Sequence, residues 1–124
     1  MEQKLLTPLE LKVMNLLWGL KKALVKEVID AWEEEPAPKY NTVSTIVRIL
    51  EEKGFVGHES EGRSHRYFPL ISRHKYQKRL MRSVLDNVFA GSMTGLVSSL
   101  LDGGHVSRKE LEALRTLIDQ SEGE

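Results

Sequence analysis

The chain contains no cysteine. Disulfides, thiolate metal sites and a cysteine nucleophile are therefore excluded. No run of about 18 apolar residues occurs, so no membrane span is expected. The opening residues, MEQKLLTPLE, lack the apolar core of a signal peptide. Aromatic residues are few, at 6% of the chain, and the formal net charge is zero. These absences fit a cytoplasmic globular protein. A length of 124 residues fits one domain, or one small domain with an appendage.

Catalytic settings are missing as well. No G-x-S-x-G elbow is present, and the glycine pairs lack the Lys and Ser/Thr of a phosphate loop. Four histidines occur: His58, His65, His74 and His105. His58 and His65 fall on facing strands of an expected hairpin, but no third ligand converges on them, as a metal site requires. The sequence predicts no enzyme, no metal and no cofactor.

The zero net charge conceals an uneven distribution. Residues 1–38 carry −2, residues 39–82 carry +6, and residues 83–124 carry −4. A local basic stretch is the electrostatic footprint of nucleic-acid binding.

Helix signals are strong at the start. Thr7, Pro8 and Glu10 form a capping box with proline in the first turn, and Leu6 and Leu11 are placed as a staple. Leu9, Val13, Leu16, Leu17 and Leu20 then make an apolar stripe, widened by Met14 and Trp18, with Gly19 expected to mark the end. Lys21–Leu24 reads as a connection with one strand residue pair. A second helix is expected over Val25–Glu34, with Val25, Val28, Ile29 and Trp32 on one face. Pro36 and Pro38 then enforce a loop. A third helix is expected over Asn41–Lys53, closed by Gly54. Phe55–Ser60 and Ser64–Pro69 read as two strands joined at Glu61-Gly62-Arg63. Three further helices follow. One is capped by Ser72 and runs to Phe89, one covers Met93–Leu101, and one follows the capping box of Ser107 and Glu110.

The third helix is two-sided. Tyr40, Val43, Ile46, Val47 and Leu50 recur at apolar spacing. The other side carries Asn41, Thr42, Ser44, Thr45 and Arg48, which are short hydrogen-bonding groups and one guanidinium. Solvent-facing helices usually carry Glu and Lys, which favour helix. Small polar groups fit close approach to base edges and phosphates in a major groove. Arg63, His65 and Arg66 lie at or beside the hairpin tip, where phosphate would be.

The order α-α-α-β-β describes a winged helix-turn-helix, in a mainly α (α+β) chain. Residues 1–71 are expected to form the winged-helix DNA-binding domain and residues 72–124 a helical dimerisation region. Three amphipathic helices there cannot hide their stripes within so short a chain. The expected dimer face comprises Tyr76, Leu80, Val84, Val88, Leu96, Val97, Leu100, Leu111, Leu114, Leu117 and Ile118. A symmetric dimer would set two recognition helices about one DNA turn apart, on a pseudo-palindromic operator.

Several stretches resemble the BlaI/MecI/CopY repressors. They are LTPLELKVMNLLW, VKEVIDAW, YNTVSTIVRILEEKGFV, a wing ending in YFPLISRHKY, and Gly91-Ser92 with Leu96-Val97. The resemblance covers nearly the whole chain. It implies a homodimeric transcriptional repressor with an N-terminal winged helix, with Thr42, Ser44 and Thr45 on recognition-helix positions. In the penicillinase branch of that family, a membrane sensor's signal leads to proteolytic inactivation, so a sensor-activated protease is a partner the resemblance implies. Two positions depart from the pattern. Ile49 stands where the family usually has a basic residue, with Arg48 one place earlier. Ser99-Leu100 replaces the Asn-Phe pair cut in the penicillinase branch, which argues against release by that cleavage. The absence of cysteine excludes the copper-branch sensor.

Two other readings stay open on sequence alone. One is a ligand-responsive regulator of the MarR kind. The other is a winged-helix adaptor that contacts proteins and never DNA.

Overall fold

A computed structural model of the chain describes residues 5–122. Its elements are α1 (Pro8–Leu20), α2 (Val25–Asp30), α3 (Tyr40–Glu52), β1 (Val56–Glu61), β2 (Ser64–Pro69), α4 (Arg73–Asn87), α5 (Met93–Asp102) and α6 (Arg108–Glu122). The chain divides into two compact units, Met1–Leu80 and Met81–Glu124. No helix among the described residues is long and apolar enough to cross a membrane.

Local chemistry sets α1. The Thr7 hydroxyl accepts from the Glu10 N–H at 3.2 Å, and the Glu10 carboxylate accepts from the Thr7 N–H at 2.9 Å. Two orphan donors of the first turn are satisfied in this way. The helix runs one residue past Gly19, and the left-handed position falls on Lys21, at φ 74°. Its N–H donates to the Leu17 carbonyl at 2.7 Å, which keeps Gly19 inside the last turn.

The buried face of α1 is turned from the expected one. Val13, Met14 and Leu17 are fully buried, whereas Leu9 and Leu20 are exposed. Glu10 joins the buried set at 6% exposure. Its carboxylate accepts from Lys53 Nζ at 2.7 Å. A buried carboxylate needs such a partner, and this one ties the start of α1 to the end of α3.

α2 ends at Asp30, four residues short of the expected Glu34. The Trp32 N–H donates to the Ile29 carbonyl, an i→i−3 bond that tightens the chain out of the helix. Trp32 then packs against the core. Glu33–Glu35 therefore lie beyond the helix and do not oppose its dipole, and Glu34 pairs with Lys12.

α3 begins at Tyr40, and Gly54 follows it at φ 87°. The hairpin pairs Val56 with Pro69 through Glu61 with Ser64, leaving Gly62-Arg63 as a two-residue turn. Gly62 takes φ 62° there, a value that glycine adopts without a Cβ clash. Ala23 and Tyr67 exchange backbone hydrogen bonds at 2.9 and 2.8 Å, the single strand pair expected in the Lys21–Leu24 connection.

The core of the first unit gathers Val13, Met14 and Leu17 of α1, Val25 and Val28 of α2, Val43, Ile46, Val47 and Leu50 of α3, and Phe55, Val56 and Tyr67 of the wing. Tyr76 completes it at 3% exposure. Its ring lies 6.0 Å from Trp18 and 5.9 Å from Phe55, and its hydroxyl accepts from the Leu6 N–H at 3.1 Å. Tyr76 is thus a core residue of the winged unit rather than part of a free dimer face, and Leu80 packs against the same core.

The second unit is built differently. α5 is capped by the Ser92 hydroxyl, which accepts from the Gly95 N–H at 2.9 Å, and α6 by Ser107 with Glu110. No residue of α5 is buried, and every described side chain of α6 is exposed.

Candidate nucleic-acid interface

Burial of Val43, Ile46, Val47 and Leu50 fixes the rotation of α3. Period 3.6 then places Asn41, Thr42, Thr45 and Arg48 outward, and all four are exposed. Ser44 is half-buried at the edge of that face. Arg48 Nε makes a long 3.4 Å contact to the Ser44 carbonyl, so the guanidinium lies along the helix. No carboxylate lies within 4.0 Å of it among the described residues.

Tyr40 does not belong to the apolar side. It is 55% exposed. As the first residue of α3 it precedes the packed turns, so its ring borders the wing instead. Tyr40, Ser44, Arg63, His65 and Lys26 border one cleft of about 350 Å³ between α2, α3 and the wing. Sequence reasoning missed Lys26 and Tyr40. Lys26 sits on the short second helix, and only the packing of α2 against α3 and the wing brings it to this cleft.

The wing residues divide by strand face. Register puts His58, Ser60, His65 and Tyr67 on one side, and Glu59, Glu61 and Arg66 on the other. His58 and His65 stack with centroids 4.1 Å apart, and His58 Nδ1 meets Glu51 Oε2 at 2.7 Å. The described residues hold no group of three or more His, Asp or Glu suited to a metal ion.

Arg66 departs from its expected place. Its Nε and Nη2 donate to the two Glu61 carboxylate oxygens at 2.8 and 3.0 Å, and its Nη1 donates to Glu27 at 2.9 Å. The Glu61 hydrogen bond, reinforced by both negative charges, holds the guanidinium above its ordinary pKa. Glu27 also accepts from the Leu24 N–H at 2.9 Å. That backbone bond first, and Arg66 with it, keeps Glu27 below the usual carboxylate range. Arg66 is therefore committed to a bridge from the wing to α2. Arg63, at the turn, is exposed and has no carboxylate within 4.0 Å among the described residues.

In the second unit, the residues expected on a dimer face are uncovered. Val88, Val97, Leu100, Leu111, Leu114, Leu117 and Ile118 are exposed, with Leu117 at 60%. Val84 and Leu96 are half-buried.

Residues 6–120 match the family model described as "Penicillinase repressor". The methicillin resistance regulatory protein MecI of Staphylococcus aureus (strain N315) is 22% identical over 111 residues, covering 90% of each chain. The penicillinase repressor of Bacillus licheniformis is 26% identical over 111 residues, covering 90% of this chain and 87% of that one. The solution structure of the DNA binding domain of the repressor BlaI aligns with a TM-score of 0.52 at 28% identity. It covers 60% of this chain and 92% of that domain.

Proposed function

This chain belongs to the penicillinase repressor family, and we propose that it represses transcription as a homodimer bound to a pseudo-palindromic DNA operator. The family and the relatives that match this chain are repressors and regulatory proteins, not enzymes. The observation that carries the reading is the outer face of α3. Asn41, Thr42, Thr45 and Arg48 stand exposed there, with Arg63 of the wing also free of acid partners. Side-chain hydroxyls, an amide and guanidinium groups are the donors and acceptors that base edges and phosphates use. In this assignment Asn41, Thr42, Ser44, Thr45 and Arg48 meet bases or phosphates, and Arg63 and His65 meet the backbone through the wing.

The uncovered helices support dimerisation. Ten large apolar side chains between Met81 and Ile118 are exposed in one chain. Fully burying such a side chain from water is worth ~1.5–3 kcal/mol, so covering even part of this surface on two chains outweighs the ~4–15 kcal/mol cost of association. Two-fold symmetry would pair the α5 and α6 stripes with themselves. The Ser99-Leu100 bond lies within α5.

Selection of bound duplexes from a random pool tests the function. The expected product is an inverted repeat with half-sites about one helical turn apart. Failure to enrich any duplex would reject the reading in favour of a protein-binding adaptor.

A further inference from the structure

The cleft of about 350 Å³ between α2, the start of α3 and the wing has an unusual lining. Lys26 stands on one wall, Tyr40 and Ser44 on the second, and Arg63 and Ser64 on the third. No carboxylate lines it. Neither Lys26 nor Arg63 has an acid partner within 4.0 Å among the described residues, whereas Lys12, Lys22, Lys53 and Arg66 are each paired. Glu27, the chain neighbour of Lys26, faces Arg66 at 2.9 Å, a guanidinium it shares with Glu61, and does not line the cleft. The lining thus holds two unpaired cations and four hydroxyls, those of Tyr40, Ser44, Ser64 and Tyr67, around one hollow.

We propose that this cleft seats one backbone phosphate of duplex DNA, with Lys26 and Tyr40 as contacts. The proposal rests on the DNA-binding reading and adds a specific anchor to it. A recognition helix in the major groove and a wing beside it enclose the phosphate strand that separates the two grooves. That strand passes where α3 and the wing diverge, and the cleft opens there. An ammonium, a guanidinium and hydroxyl donors are the groups by which proteins hold phosphate oxygens. The volume lies within the range that accepts a ligand larger than one phosphate, leaving room for the adjoining sugars. A contact of this kind carries no base information. It sets the register in which Thr42 and Thr45 meet the base pairs.

The test uses the full chain and a selected operator duplex. Single methylphosphonates, each replacing one charged phosphate oxygen by a methyl group, are walked along the strand. Binding is measured for the wild type, Lys26→Gln and Tyr40→Phe. Lys26 is exposed, so its substitution leaves the fold intact. At one phosphate per half-site, the methylphosphonate should weaken the wild type about tenfold and Lys26→Gln hardly further. Lys26→Gln should also lower the slope of log K against log salt by about 0.9 for each bound protomer. Tyr40→Phe should weaken binding several-fold, with that slope unchanged. If the losses from Lys26→Gln and from the methylphosphonate multiply at every position, the seat is overturned while DNA binding stands. If the wild type binds no duplex, both are overturned.

Discussion

The Arg66 guanidinium lies 2.9 Å from the Glu27 carboxylate, so the second wing strand is fastened to the second helix. A basic residue two positions from a strand turn reads naturally as a phosphate contact. Here three of its five N–H donors are already used, two by Glu61 and one by Glu27.

Arg66→Ala should therefore weaken DNA binding by loosening the wing and exposing two unbalanced acids. The salt slope should fall by much less than the ~0.9 per protomer of a lost phosphate contact. Arg63→Ala should show the full change in slope. Salt titrations of the two variants, run side by side, check the contrast.

The second expectation concerns acid. Burial alone would raise the Glu10 pKa, but Lys53 and the Thr7 N–H outweigh it and hold the carboxylate below its ordinary 4.5. A group lowered in the folded state contributes stability above its unfolded pKa and loses it as pH falls through the folded value. Glu27 and Glu61 shift in the same direction. Thermal melts should fall steadily below about pH 5. Glu10→Gln should melt lower than the wild type at pH 7, and the two should converge as the pH approaches the acid end.

Tyr76 supplies a third. Tyr76→Ala empties a site between Trp18 and Phe55 and should cost ~3–5 kcal/mol. Tyr76→Phe removes only the acceptor of the Leu6 N–H and should cost ~1 kcal/mol. Urea unfolding followed by tryptophan fluorescence separates them, and neither change should alter oligomeric state at low denaturant.

The fourth concerns assembly. Leu114→Asp with Leu117→Asp places two charges on the exposed stripe of α6. Sedimentation should fall from twice 14.1 kDa to 14.1 kDa. The first unit should keep its melting behaviour, since its core draws on no residue beyond Leu80.

Much of the winged unit could be read from the sequence because its signals are local. The Thr7–Glu10 box, Gly54 after α3 and Gly62 in the turn each act within a few residues. What escaped depends on distant partners. Glu10 is buried because Lys53, 43 residues away, reaches it. Tyr76 has an apolar-face spacing that suits a dimer stripe equally well, and only the fold shows it filling the space beside Trp18 and Phe55. α2 stops at Asp30 because Trp32 turns to the core, although the pattern continued to Glu34. In the interface, the outward set Asn41, Thr42, Thr45 and Arg48 followed from period alone. The positions of Arg66, Tyr40 and Lys26 needed the packing of three elements, which no spacing encodes.

The most direct measurement is a gel shift of the selected operator with the triple change Thr42→Ala, Thr45→Ala and Arg48→Ala. These side chains are exposed and carry no core contact, so the variant should fold and sediment as the wild type does. The retarded band should be lost at concentrations that saturate the wild type. An unchanged shift would contradict this, because DNA would then be held by some other surface.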